Sequence, residues 1–540
     1  MALAAPERTA LAEHIHPEPQ GFIRKYVFSI DHKVIGIQYA VTSLIFFVVA
    51  GMLAELIRVQ LFNNNAKFLT PDQYNGVYTM HGTAMVWFVT IPLVTGAFGN
   101  IILLLMIGAR DVAFPWLNML SFWIFPVSGA TLFASFLIGA PEAGWTEYAP
   151  VSLQGPPGTT LWCVAIFLIG ISSTLTGLNF LVTVIKMRAP GMTYTRMPLF
   201  VWAQAATAAM NMIATVALSS ATGALFVERV FGVPFFDPNK GGSPILWQHM
   251  FWFYSHPAVY IFIIPVFGIV SEVLPTFARK PIYGYKMVAF STVAITLISF
   301  MVWAHHMFTS GMAPWLQLTF MLTTMLIAIP TGVKIWSWVA TLWGGSIRYT
   351  TAMLFAMGFL ITFTLGGLTG VMLGAVPADL HEHGTYFVVA HFHYVIFGGT
   401  FMGALAGLYY WWPKVTNRML SETLGKVQFW LTLIFMNATF FPMHILGLMG
   451  MPRRVAEYAP QFTDWNRFIS ISSGFIVLAF LLMFVNMFWS LAYGKKAGPN
   501  PWGARTLEWT IPSPPPYYNF KRIPAVLSGP YDFSEPLPYA

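Results

Sequence analysis

Apolar stretches long enough to cross a bilayer follow one another along nearly the whole chain, each closed off by a short polar connection. A spanning helix takes about 20 predominantly apolar residues. Twelve stretches qualify, at 34–58, 77–107, 116–140, 158–187, 199–226, 247–274, 286–309, 316–343, 350–376, 385–412, 423–449 and 466–494. The pattern predicts an all-α, polytopic membrane protein with twelve transmembrane helices in a single bundle. Connections such as Gly108-Ala109-Arg110-Asp111, Arg279-Lys280-Pro281 and Gly344-Gly345-Ser346 leave no room for a soluble module. The expected organisation is a cytoplasmic N-terminal segment over 1–33, the helical domain over 34–494 and a Pro-rich tail over 495–540 lying extended on the cytoplasmic face, with Pro512, Pro514, Pro515 and Pro516. No internal repeat is evident, which weighs against an inverted-repeat transporter.

Composition agrees. Of 540 residues, 56% are hydrophobic and 9% charged, against about 25% charged in a soluble domain. Charge placement adds an orientation. With a cytoplasmic N-terminus, twenty of the 28 Lys and Arg fall on the N-terminal segment, the inner connections and the tail. The positive-inside rule then puts both termini in the cytoplasm. The net charge of +8 reports topology and gives no reason to invoke nucleic acid. The first thirty residues carry Glu7, Arg8, Glu13, Arg24 and Lys25 and no apolar core, so no cleavable signal peptide is expected. A single cysteine, Cys163, excludes an internal disulfide, a covalently attached c-type haem and a dithiolate copper site within this chain.

Six histidines fall within spans: His81, His256, His305, His306, His391 and His393. One alone would be read as a hydrogen-bonded packing residue. Six on four helices point to metal, for which neutral imidazole is the usual ligand. His391 and His393 are two apart, and helix positions advance about 100° per residue, so the two imidazoles leave opposite sides of one helix. One helix can then serve two cofactors. His81, in Met80-His81-Gly82-Thr83, is the natural second ligand for a six-coordinate haem. His305 and His306 can share one metal with His256 from another helix. Tyr260 follows His256 by four residues, on the same helix face, where a phenol can supply a proton and an electron together. Arg453 and Arg454, adjacent at a helix end, suit carboxylates. Lys334 is the one lysine deep in a predicted span; a lysine there shifts its proton affinity readily and can relay protons.

These residues together resemble subunit I of the haem–copper oxidases, A-type branch, nearest the cytochrome c oxidases. The resemblance covers about residues 22–520. It rests on Trp247 to Tyr260, on Trp303-Ala304-His305-His306-Met307-Phe308 and on Pro330-Thr331-Gly332-Val333-Lys334. It rests equally on His391-Phe392-His393-Tyr394-Val395 and Gly450-Met451-Pro452-Arg453-Arg454. It implies a low-spin haem on His81 and His393, a high-spin haem on His391, and the copper called CuB on His256, His305 and His306. Tyr260 matches the tyrosine cross-linked to His256. Arg453, Arg454 and Trp145 match partners of haem propionates, and Arg58 that of the low-spin haem's formyl group. Haem A is the expected porphyrin.

For protons the resemblance implies two routes. One runs through Lys334, Thr331 and Ser271 toward Tyr260, with Glu272 as its entrance. The other starts at Asp111 and uses Asn100, Asn118, Asn179, Ser172 and Ser173. Two positions depart from the family. Ala258 stands where many relatives carry a glutamate that ends the second route, and Tyr254-Ser255 precedes His256, as in the branch that uses a Tyr-Ser pair. Gly384 stands where relatives have an aspartate after His383, which puts a magnesium site at His383, with Asp379 and Glu382 nearby, in question. The implied activity is that of a proton-translocating terminal oxidase in a bacterial inner membrane, reducing O2 to water. Subunits II and III, cytochrome c or a c-type domain as donor, and membrane lipid are the implied partners. A quinol oxidase, a nitric oxide reductase and a non-redox secondary transporter are the alternatives. Tyr260, Lys334 and the absence of glutamate near His256 speak against the nitric oxide reductase.

Overall fold

The computed structural model describes residues 18–531 and 533. Most of the polar N-terminal stretch, including Glu7, Arg8 and Glu13, lies outside the described residues, as do 532 and 534–540 of the tail. Among the described residues, twelve helices are long and apolar enough to span a membrane: α1 His32–Gln60, α2 Pro71–Ile107, α3 Pro115–Leu137, α4 Gly158–Lys186, α5 Leu199–Phe231, α6 Pro244–Ala278, α7 Tyr285–Met307, α8 Pro314–Leu342, α9 Thr351–Gly374, α10 Tyr386–Thr416, α11 Glu422–Leu448 and α12 Pro460–Tyr493. No strand forms among the described residues; two isolated bridges, one of them Thr385 with Pro452, are the only extended pairings.

Each predicted span is present, and the differences lie at the ends. Helix α2 starts at Pro71 rather than 77 because Thr70 and Gln73 close a reciprocal capping box ahead of a polar first turn. Helix α10 runs four residues past its predicted end and carries Lys414 inside. Lys414 is fully buried and its ammonium donates to Pro499 O (2.9 Å) and Ile511 O (2.7 Å). Lys334 is therefore not the one buried lysine. Lys414 belongs to the attachment of the tail, which packs inward: Leu507, Glu508, Trp509, Asn519 and Phe520 are all buried. Most helices turn large apolar side chains outward, such as Ile45, Met52, Leu318, Leu322 and Phe488, as a lipid-facing surface requires.

The centre of the bundle is α6 against α10. Gly399, Gly403 and Gly407 recur every four residues on α10, and a Cβ at any of them would fall within 3.0 Å of Ile263, Val266 or Ile269 on α6. This stripe of small residues lets the two backbones approach closely. Both helices that carry the proposed low-spin haem ligands widen just beyond them. Helix α2 is π-wound over Ala84–Thr90, Pro92–Ala97 and Gly99–Leu103, and α10 over Ile396–Phe401. Such segments gather at functional sites.

Candidate metal and cofactor centre

One cavity of about 1470 Å³ runs through the bundle at the level of the histidines. Small-ligand pockets usually hold about 300–1,000 Å³, so there is room for more than one large flat group. All six span histidines line it, together with Tyr260, Arg58, Trp145, Arg453, Arg454, Thr331, Ser255 and His383.

The three imidazoles assigned to copper converge. His256 Nδ1 lies 3.1 Å from His306 Nε2, which lies 3.1 Å from His305 Nε2. Two nitrogens bound to one metal at about 2.0 Å and a tetrahedral angle sit roughly 3.3 Å apart. Among the described residues this is the one group of His, Cys, Asp or Glu gathered so closely. His305 and His306 reach it from a 3₁₀ turn, Trp303–Met307, that ends α7; a turn of three residues swings neighbours by about 120°. Two fixings set the rings. His305 Nδ1 lies 2.9 Å from Thr324 Oγ1 of α8, and Trp252 stacks on His306 at 3.7 Å and 12°. His256 turns its Nε2 into buried space with no protein partner, and the Tyr260 ring lies 4.7 Å from its own.

The other three histidines share one device. Each gives its Nδ1 proton to a backbone carbonyl: His81 to Ala50 O at 2.9 Å, His391 to Gly366 O at 3.0 Å, and His393 to Val389 O at 2.8 Å. A carbonyl only accepts, so the tautomer is fixed and each Nε2 carries the lone pair a metal needs. Thr369 Oγ1 also lies 3.1 Å from His391 Nδ1, and Phe440 stacks on His393 at 4.3 Å and 10°. The donor set, the free Nε2 atoms and the size of the cavity all fit two haems and a copper ion.

At the end of the cavity nearer α6's start, Trp145 packs over Gly82, beside His81, where a Cβ would lie 3.1 Å from the Trp145 Cβ. Arg454 takes a left-handed backbone (φ 63°), and its guanidinium makes only long contacts, 3.5 Å to Ala143 O and 3.4 Å to Thr146 Oγ1. Burial, and then Arg454, bring Arg453 down to about 10. Two cations pressed together, with no carboxylate in ion-pair contact among the described residues, suit an anionic ligand. Arg58 differs. It is held by Asn466 O (2.9 Å), Asn466 Oδ1 (3.0 Å) and Ser470 Oγ (2.9 Å) on α12. Gly384 (φ 73°) makes the turn that sets the segment before α10 beside the arginines: Arg453 N donates to Gly384 O at 3.0 Å and Tyr386 N to Met451 O at 3.0 Å. His383 Nδ1 pairs with Asp379 Oδ2 at 2.9 Å, and Glu382 does not complete a three-ligand group with them.

The Lys334 set is only partly assembled. Lys334 Nζ donates to Val288 O (2.9 Å) and Thr292 Oγ1 (2.6 Å) on α7, and Ser271 Oγ accepts from Trp338 Nε1, one turn along α8 (2.9 Å). Thr331 lines the cavity. Glu272 stands apart: its Oε1 accepts from Phe200 N (3.0 Å) and from Tyr531 of the tail (2.5 Å), not from a group bonded to Lys334. In the Asp111 set, Asn118 Nδ2 donates to Asn100 Oδ1 at 2.6 Å, Asn179 pairs with the Phe114 backbone, and Ser172 Oγ donates to Ser121 O at 2.7 Å. Ser173 is half-buried at the next position. Asp111 lies in the connection before α3 and accepts from Val112 N at 2.7 Å. Tyr254 and Ser255 are both buried, and Ser255 Oγ has no protein partner.

Trp252, Thr369, Phe440 and Thr324 were missed from sequence. Trp252 alone had a signal, four residues before His256 on one helix face; the others come from helices remote in the chain.

Comparison with known proteins gives one result. The family described as Cytochrome C and Quinol oxidase polypeptide I matches residues 34–481. The chain is 50% identical over 529 residues to cytochrome c oxidase subunit 1 of Thermostichus vulcanus, covering 98% of this chain and 96% of that one. It is 48% identical to the Bacillus subtilis subunit over 93% of this chain and 81% of that one. A solved heme-copper terminal oxidase dimer shares the fold, with a TM-score of 0.72 over 86% of this chain and 84% of that chain, at 17% identity.

Proposed function

The chain belongs to the cytochrome c and quinol oxidase polypeptide I family, and from that premise we propose that it is the catalytic subunit of a respiratory terminal oxidase that reduces O2 to water and moves protons across the membrane. The observation that carries the reading is the meeting of six imidazoles, five of them with fixed ring partners, in one cavity. His81 and His393 would hold a low-spin haem, His391 a second haem, and His256, His305 and His306 a copper ion. When bound, these groups supply the four electrons that dioxygen requires and the electron path between them.

The protein's own residues do the rest. Backbone carbonyls lock the imidazole tautomers. Arg453, Arg454 and Trp145 take the propionates, and Arg58 the low-spin haem's outer substituent. Tyr260, beside the free Nε2 of His256, fits a covalent link to that ring and holds a proton and an electron at the oxygen site. Lys334 and Thr331 serve the Tyr260 side; Asp111, the asparagines and serines serve the other, ending at Tyr254 and Ser255 because Ala258 offers no carboxyl. Glu272 serves the tail contact and not the lysine route. The finer assignments follow the family: haem A, subunits II and III, cytochrome c as donor, and a bacterial inner membrane with both termini inside. Magnesium at His383 would need a ligand from another subunit. The transporter alternative falls with the family assignment.

The test is made on the purified intact complex, with metal analysis, a reduced-minus-oxidised spectrum and oxygen consumption driven by reduced cytochrome c. Copper, two spectrally distinct haems and cytochrome-dependent oxygen uptake are expected. A complex without copper, or without haem, overturns the reading.

A further inference from the structure

Helix α5 carries an uncompensated polar stripe. Gln204, Thr207 and Asn211 are 1%, 1% and 2% exposed. Gln204 Oε1, Thr207 Oγ1 and Asn211 Oδ1 are all buried without a hydrogen-bond partner. Positions three and seven apart fall on one helix side, and the stripe covers about 10 Å of helix. A protein rarely leaves three such oxygens bare, because each is costly away from a donor. Buried water is the ordinary remedy, and it needs several polar partners close together.

The ends of the stripe are informative. At one end, Gln204 donates to Val94 O on α2 (2.9 Å), and its Oε1 would lie 3.4 Å from a Cβ on Gly99, next to Asn100. Asn100 is bonded to Asn118 in the Asp111 set. At the other end the height is set by helix packing. Helices α5 and α6 run antiparallel with Gly268 against Phe200 and Ala203. Counting ten residues back along α6 and about as many forward along α5 brings Asn211 level with Ala258. One further unpaired buried group lies a single turn from that level on the facing helix: Ser255 Oγ on α6, three residues before Ala258.

We propose that Gln204, Thr207 and Asn211 bind a file of buried water along α5, and that this file carries protons from the Asn100–Asn118 pair to Ser255, in place of the carboxylate missing at Ala258. About 10 Å is the reach of roughly three or four hydrogen-bonded waters. Acceptor oxygens at each turn hold the file and orient it; protons hop along it to the oxygen site, where reduction consumes them. Asn211 is a positioning residue for that transfer. The proposal rests on the oxidase reading above.

The test uses the intact complex. Proton uptake from solution is followed with a pH-indicator dye during single-turnover oxidation by O2. Asn211→Leu is expected to slow that uptake about tenfold, the order of one lost hydrogen bond in the barrier, with haem and copper content unchanged. Adding Ala258→Glu to Asn211→Leu restores the rate, because a carboxyl then spans the dry gap. Thr207→Val, which keeps the shape and removes the hydroxyl, slows uptake by a smaller factor. A high-resolution map of the complex finds water within hydrogen-bond distance of the three oxygens. The proposal is overturned by parental uptake in both single variants, by a slowed Asn211→Leu that Ala258→Glu does not rescue, or by a map with no water there. If Asn211→Leu fails to assemble, Thr207→Val and the map decide. A parental complex that consumes no oxygen is a different failure and removes the oxidase reading itself.

Discussion

The two faces of α10 present histidines two residues apart in surroundings built on different plans. His393 is oriented mostly by near neighbours: its Nδ1 proton goes to Val389 O on its own helix, one turn back, and Phe440 of α11 covers its ring. His391 is oriented by a different helix. Its Nδ1 proton goes to Gly366 O on α9, Thr369 adds a second contact, and Gly370 leaves space for its ring. A ligand fixed by its own helix keeps its aim wherever that helix moves. A ligand fixed across a helix pair keeps its aim only while the pair stays in register. The histidine proposed for the oxygen side is therefore the one tied to tertiary packing, as is the trio proposed for copper, which is assembled from α6 and the end of α7, with α8 fixing one ring.

The sharpest way to break this comparison is to remove each ligand. His391→Ala should lose oxygen reduction by at least about 100-fold, a first-coordination effect at the upper end of what outer partners cause, while the low-spin haem spectrum persists. His393→Ala should lose the low-spin spectrum. Spectra of both variants in the intact complex check the pair, and loss of both signatures in both variants would dissolve the distinction.

A smaller change separates the faces more finely. Gly370→Ala puts a Cβ 2.8 Å from His391 Cε1, closer than side chains tolerate, so His391 must shift. Turnover should fall about tenfold, the lower end for a disturbed ligand support, with the low-spin spectrum intact. Carbon monoxide rebinding to the reduced complex reads the oxygen side directly. Equal disturbance of both haem spectra would mean that α9 supports both faces.

The smallest effect is expected outside both faces, in the connection between α3 and α4. Glu147 is buried in the connection between α3 and α4, in a left-handed backbone, with neither carboxylate oxygen bonded. Arg229 does not serve it, since its donors go to Thr160, Ser152, Leu153, Gly155 and Pro156. Burial raises its pKa from 4.5 to about 8, against the pull of Arg229 and Arg454. The folded state then binds a proton that the unfolded chain has released, so stability falls as pH rises from about 4.5 to about 8 and levels off above. Glu147→Gln should remove that slope and leave both haem spectra alone. Thermal unfolding of the complex at several pH values checks it.

Much of the centre was legible because it is local. The six histidines, Tyr260 and the arginine pair sit in apolar or helix-end contexts where a polar group is expensive, so their presence signals use. Helix periodicity separates His391 from His393 and joins His256 to Tyr260 without any knowledge of packing. Other features were illegible for stated reasons. The polar first turn of α2 hides its start from a hydropathy reading. Glu272 reads as a helix-end solvated acid, yet a tail residue 259 positions away covers it. The α5 stripe resembles any run of small polar packing residues, because what marks it is the lack of partners from other helices.

The sequence by itself determined twelve crossings, the histidines that stand within them and the opposite faces on which His391 and His393 leave their helix, since chain length, apolarity and the 3.6-residue turn act over short separations. Tertiary structure alone decided which carbonyls fix His81 and His391, which rings stack on His306 and His393, how close α6 comes to α10, and which buried oxygens were left without a protein partner. Those outcomes depend on distances between helices, and no stretch of one helix encodes where its neighbour's atoms will lie.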